Sequence, residues 1–127
     1  MQPLKAALRA RLVAGGVSAP VHDTQAPAEA PYPFIILHYT GGGDENRTRL
    51  NTRNETWLVK ALSDDHATAH TLAADIRAAL HQQALTVAGW GHLWTAQIEH
   101  VWQVENVARR QVFHAGGVFR VRLFETP

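Results

Sequence analysis

The 127-residue chain has no cysteine. Disulfide staples and thiolate metal sites are therefore excluded, and a reducing compartment is compatible with the composition. Long apolar runs are missing too. None approaches the ~20 residues that a membrane-spanning helix needs. The opening MQPLKAALRARLVAGG carries basic residues throughout but no continuous apolar segment, so it does not read as a secretory signal. Nor is there a charge excess. Twelve Lys and Arg against eleven Asp and Glu give a net charge of +1 with neutral histidines, which argues against strong nucleic-acid binding. These absences fit a protein made and used in a cytoplasm, or packed into a particle assembled there.

The apolar fraction of 46% is ordinary for a globular protein, and the length suits one domain spanning residues 1–127. A chain of this size buries roughly two thirds of the surface it exposes when unfolded, enough for a core without staples. Residues 3–14 read as a helix. Pro3 suits a first helical position, Leu4, Leu8 and Leu12 form one apolar stripe, and Gly15-Gly16 closes the helix. Residues 17–23 can hold a short edge strand. TQAPAEAPYP, with three prolines in ten residues, is an extended loop.

PFIILHYT (33–40) is a continuous apolar strand, and ETWLVKAL (55–62) is a second, with Trp57, Val59 and Ala61 on one face. Ser63 looks like a helix N-cap, followed by Asp64 and Asp65 in the first turn. The helix runs to about His81, with Leu72, Ile76, Ala79 and Leu80 as its buried stripe. LWTAQIEHVW (93–102) alternates, placing Trp94, Ala96, Ile98, His100 and Trp102 on one face. QVENVARRQ is a link to a last alternating strand, 112–124. There Phe113 to Leu123 at odd positions oppose Arg120 and Arg122, and Gly116-Gly117 suggests a bulge or a close backbone approach. The expected fold is α+β: an antiparallel sheet of about four main strands, plus the short edge strand, with two helices on one face.

Between the first two main strands lies GGGDENRTRLNTRN, residues 41–54, read as a long projecting hairpin loop. It has no Gly-Lys-Ser/Thr and does not lead into a helix, so it is no phosphate cradle. A loop of ~14 residues far exceeds the usual hairpin loop, and such loops tend to be functional or disordered. Asp44, Glu45, Arg47, Arg49 and Arg53 offer both signs of charge, which suits contact with another protein chain through Arg–carboxylate pairs. The row Arg109, Arg110, Arg120 and Arg122 is the one basic concentration. It would line a channel passing DNA, form salt bridges between subunits, or simply be a solvated face.

His66 and His70 stand four apart on the second helix, a spacing that can seat zinc, but HATAH lacks the glutamate of a metalloprotease and no third ligand is evident. His38, His100 and His114 occupy strand positions and read as core or interface residues. No Gly-x-Ser-x-Gly elbow or Ser-His-Asp order appears. Trp90, Trp94 and Trp102 cluster on an alternating strand, which fits packing better than base stacking. No catalytic residue, cofactor site or metal site is assigned.

Taken in order, LKAALRARLVA, VHDTQAPAEAPYPFIIL, ETWLVKAL, AHTLAADIRAALHQQALTVAGW and RRQVFHAGGVFRVRLFE resemble the tail-completion, or tail-terminator, family of long-tailed bacteriophages over nearly the whole chain. The resemblance rests on order and spacing; the 41–54 stretch matches no family signature. It implies a structural virion protein that is not an enzyme and needs no cofactor. It further implies a ring, usually hexameric, at the head-proximal end of the tail tube. Such a ring stops tube polymerisation, meets the head connector or stopper, and surrounds the channel through which DNA passes. Another neck component, such as a head-completion protein, or a tube-like subunit is the nearest alternative; a small metal-dependent enzyme built on His66 and His70 is a more distant one.

Overall fold

The computed structural model describes residues 1–45 and 51–126. Its elements are α1 (Gln2–Ala14), β1 (Val21–Asp23), β2 (Phe34–Glu45), β3 (Thr52–Ser63), α2 (His66–Leu80), β4 (Trp90–Val107) and β5 (Arg110–Glu125). One five-stranded sheet has the order β1-β2-β3-β5-β4, and the two helices share a hydrophobic core with one face of it.

The helices form as their patterns dictate. Leu4, Leu8 and Leu12 of α1 are fully buried, and Gly16 at φ 82° closes the helix with Val17 N–H donating to Leu12 O and Gly16 N–H to Val13 O. That pair of bonds satisfies carbonyls which the helix itself leaves open. In α2 the buried stripe is Ala69, Leu72, Ile76, Ala79 and Leu80. Its N-cap is Asp65 rather than Ser63: the Asp65 carboxylate accepts from Thr68 N–H at 2.9 Å, while Ser63 still belongs to β3 and accepts from Asp65 N–H. The Thr68 hydroxyl and backbone N–H hold the Asp65 carboxyl below its ordinary pKa.

The sheet is mixed, not the purely antiparallel one expected. β1 runs parallel to β2, with Val21 to Asp23 beside Ile35 to Leu37. Parallel neighbours need a crossover. Here the proline-rich stretch 24–33 supplies it, lying over the helix-free face, where Pro27, Ala30 and Tyr32 line a cleft with Ile36, Lys60 and Leu62. The remaining pairs are antiparallel. In β3 the alternation is unbroken: Glu55, Trp57, Val59, Ala61 and Ser63 are buried on the helix side.

β4 departs from its expected single face. Register shifts between His92 and Trp94 and between Gln97 and Glu99 turn the pleat over. Trp94 and Ala96 pair with Arg122 and Arg120 on the helix-free face. His100 and Trp102 pair with Gly117 and Ala115 on the helix side. A bulged residue breaks the period of two, so side chains before and after it change sides. The expected 103–111 link is instead strand. β4 continues to Val107, and a two-residue turn, Ala108 at φ 48° and Arg109 at φ 69°, leads into β5. Gly116-Gly117 makes no bulge against β3. A Cβ on Gly116 would lie 2.2 Å from Val59 O, so the glycine permits close approach of the strands.

Candidate assembly interface

The 41–54 stretch is not a simple loop. β2 continues to Glu45 and β3 begins at Thr52, with Gly41 to Glu45 paired in order to Thr56 to Thr52. The described part is sheet: Thr52 to Thr56 pair on their other side with Phe124 to Arg120 of β5, and β2 enters the stretch through a register shift between Tyr39 and Gly41. Arg47 and Arg49 lie outside the described residues, as does the side chain of Glu45.

This 41–54 arm rests on a buried carboxylate. Glu55 is fully buried, with Oε1 2.9 Å from Arg53 Nε and 3.9 Å from the Met1 amino group. The Tyr39 hydroxyl also faces it, and burial first, then the Glu55 carboxylate, raises the Tyr39 pKa. Gly42 lies directly above. A Cβ there would stand 2.5 Å from both Glu55 Oε2 and Asn54 O, and 2.8 Å from the Tyr39 hydroxyl. The second glycine of the triplet therefore lets the β2 backbone cross this cluster. Arg53 is half-buried and tied to the arm's base, whereas Asp44, its cross-strand partner, is exposed.

The arginine row is separated. Arg120 and Arg122 lie on the helix-free face, Arg120 exposed and Arg122 half-buried, beside Ala96 and Trp94. Arg109 sits in the β4–β5 turn, and Arg110 bonds Asp64 and stands 5.6 Å from the centroid of the Tyr32 ring. Ten residues of strand, about 33 Å, separate Arg110 from Arg120.

Of the exposed large hydrophobic side chains among the described residues, only Val13 and Tyr39 are elsewhere; Leu93, Trp94, Ile98, Trp102, Val104 and Val107 all belong to β4. β4 is also an outer strand of the sheet. Part of its edge is covered: Gln82 N–H donates to Thr95 O, and Gln97 N–H donates to His81 Nδ1. Beyond Gln97 no strand lies along it among the described residues. Residue-by-residue patterning hides this surface, because an apolar strand position normally means core.

His66 and His70 have ring centroids 4.6 Å apart, and His70 stacks on Trp102 at 4.4 Å. His66 also meets Phe113 edge-on. Among the described residues, no cluster of three or more His, Asp or Glu side chains could hold a metal ion. A cleft of about 540 Å³ beside β4 brings His92 and Thr95 together, but Nε2 and Oγ1 bond each other at 2.6 Å. On the helix-free face His114 is buried, its Nε2 3.4 Å from Glu105 Oε1. Desolvation, then the Lys60 charge, lowers the His114 pKa, against the opposing pull of Glu105.

No curated protein sequence matches the chain. Among solved structures, a chain from "Virion of native gene transfer agent (GTA) particle" superposes with a TM-score of 0.76 at 19% identity, covering 95% of this chain and 94% of its own. A second solved chain superposes with a TM-score of 0.57 at 13% identity, covering 99% and 95% respectively. These likenesses establish a shared fold. The family described as tail completion protein gp17 matches residues 2–122. The chain therefore belongs to the tail completion protein gp17 family, and is a structural protein of a phage-type tail.

Proposed function

We propose that the protein is a tail terminator: a ring, hexameric by family resemblance, seated on the head-proximal end of the tail tube. It ends tube polymerisation and presents a surface to the head connector or stopper. It assembles in the host cytoplasm and stays in the virion neck. DNA passes through the ring without sequence-specific binding, and no catalysis or cofactor enters the role. Family membership supports this reading, as does the fold shared with a chain of a gene transfer agent virion. The observation that carries it is the extension of β2 to Glu45 beside β3, anchored at buried Glu55 and leading into a densely charged sequence.

In this role Asp44, Glu45, Arg47, Arg49 and Arg53 serve contact with the adjacent subunit or the tube, with Arg53 anchored at the arm's base. Arg120 and Arg122 face the channel or a neighbouring subunit from the helix-free face. Arg109 and Arg110 serve a separate contact at the hairpin turn. The test is native mass spectrometry and tail-joining assays on a variant with residues 44–53 replaced by a two-residue turn. Loss of rings and of joined tails is expected; intact rings and normal joining would remove the arm from the assignment.

A further inference from the structure

The β4–β5 hairpin runs past the rest of the sheet. β3 ends where Ser63 pairs with Phe113, and three further pairs, from Glu105 with Val112 to Val107 with Arg110, carry β4 and β5 about 10 Å beyond it. Residues 102–111 are all exposed. The base is pinned, because Arg110 bonds Asp64 and stands by the Tyr32 ring. The tip carries Val107, Ala108 and Arg109. Ala108 at φ 48° and Arg109 at φ 69° hold the left-handed conformation that a two-residue hairpin turn requires, and that asparagine and glycine adopt at less cost. A strained tip that keeps an apolar side chain and a cation is a tip whose side chains have a use.

A concave surface of matching chemistry lies on the far flank of α2. A cleft of about 460 Å³ is walled by Ala19, Pro20, Pro33 and Leu72 and carries one carboxylate, Asp75. Among the described residues, Arg109 and Asp75 are both without a side-chain partner, whereas Asp23, which lines another cleft, is held by Lys5. Tip and cleft cannot meet within one molecule, because α2 stands between them. On one flank of α2, His70 and Arg77 reach Trp102 and Gln97 of β4. On the other, Thr71 and Asp75 line the cleft. Two residues apart on a helix, Asp75 and Arg77 point about 160° away from each other.

We infer that the cleft beside Asp75 receives the β4–β5 hairpin tip of a second copy of this chain. Arg109 pairs with Asp75 in a charge-assisted bond, and Val107 and Ala108 bury against the apolar wall. Tip and cleft are different patches on opposite flanks of the subunit, so each copy gives to one neighbour and receives from the other. That is a head-to-tail contact, the kind that closes into rings. The inference rests on the ring reading and names a contact within it that is independent of the 41–54 stretch.

Charge reversal tests it, with assembly of the full chain followed by native mass spectrometry and sedimentation. Arg109→Asp places a residue that tolerates the left-handed turn, and Asp75→Arg places a good helix former at an exposed position. Each is expected to raise the concentration needed for assembly at least about tenfold, and the two together are expected to restore it. Arg109→Gly separates contact from fold. It should melt no lower than wild type, because the turn loses its strain, and still assemble as poorly as Arg109→Asp. A wild-type chain that stays monomeric at every concentration overturns the ring reading and this inference with it. Wild-type assembly that any of the three single substitutions leaves unchanged, or that the double variant fails to recover, overturns the docking of tip in cleft alone. So does a fall in both melting temperature and assembly for Arg109→Gly, which would make Arg109 a residue of the fold.

Discussion

Gly42→Ala probes the base of the arm with one methyl group. The added Cβ would meet Asn54 O and Glu55 Oε2 at 2.5 Å and the Tyr39 hydroxyl at 2.8 Å. Tyr39 could shift, but Asn54 O is backbone of the paired strand, and Glu55 is buried and held by Arg53. Relief therefore requires β2 and β3 to part there by roughly an ångström, against contact distances of about 3.5 Å. Overpacking of this kind costs about 1–3 kcal/mol. At roughly 4 °C per kcal/mol for a chain of this length, the melting temperature should fall by about 4–12 °C. Gly43→Ala is the internal control. Its Cβ would meet nothing within 4 Å, so its effect should stay within about 0.5 kcal/mol. Calorimetry measures both, and hydrogen exchange at the Gly43 to Glu45 amides shows whether the loss is confined to the arm. Equal melting temperatures for the two variants would refute the close-approach argument.

Other consequences are as direct. Leu8 is fully buried between α1 and the sheet, so Leu8→Ala should lose about 2–5 kcal/mol in urea unfolding, whereas Val13→Ala, exposed on the same helix, should lose little. The depressed His114 pKa makes the neutral imidazole the folded form. Stability is then fully present above the unfolded value of 6.5 and falls as pH drops toward the folded pKa. His114→Gln should therefore flatten, though not abolish, the decline in melting temperature below pH 6.5, because His92 is depressed in the same direction by burial. Asp65→Ala should lower the melting temperature at neutral pH. The gap from wild type should close as pH falls below 3.8 through the folded carboxyl's lowered pKa.

Elements whose stabilising contacts repeat at a fixed local period were readable from the residues. The leucine stripe of α1, the α2 stripe and the alternation of β3 each declare which side is buried, and the structure agrees. Glu55 stands in phase with Trp57, Val59 and Ala61, so its burial was implied by the same pattern, although its partners were not. What period cannot convey is the direction in which a neighbour runs, or where one residue is inserted. The parallel pairing of β1 depends on a loop crossing the sheet, and the division of Trp94 from Trp102 depends on the register shift between Gln97 and Glu99. The β4–β5 turn was hidden because Ala108-Arg109 adopts positive φ without the glycine or asparagine that usually announces it. For the arm, the glycines and charges marked a special segment, but the strand pairing beneath it did not show. The four arginines, adjacent in a reading of composition, divide between the hairpin turn and the helix-free face because a strand carries residues ten apart to opposite ends of the sheet.

The most direct measurement is electron cryomicroscopy of the assembled particle with this chain located in the density. The account predicts a single closed ring on the last ring of the tail tube, facing the connector, with the 41–54 arm of each subunit reaching the next. Copies repeated along the tube, a position on the portal side of the neck, or a chain absent from the particle would contradict it.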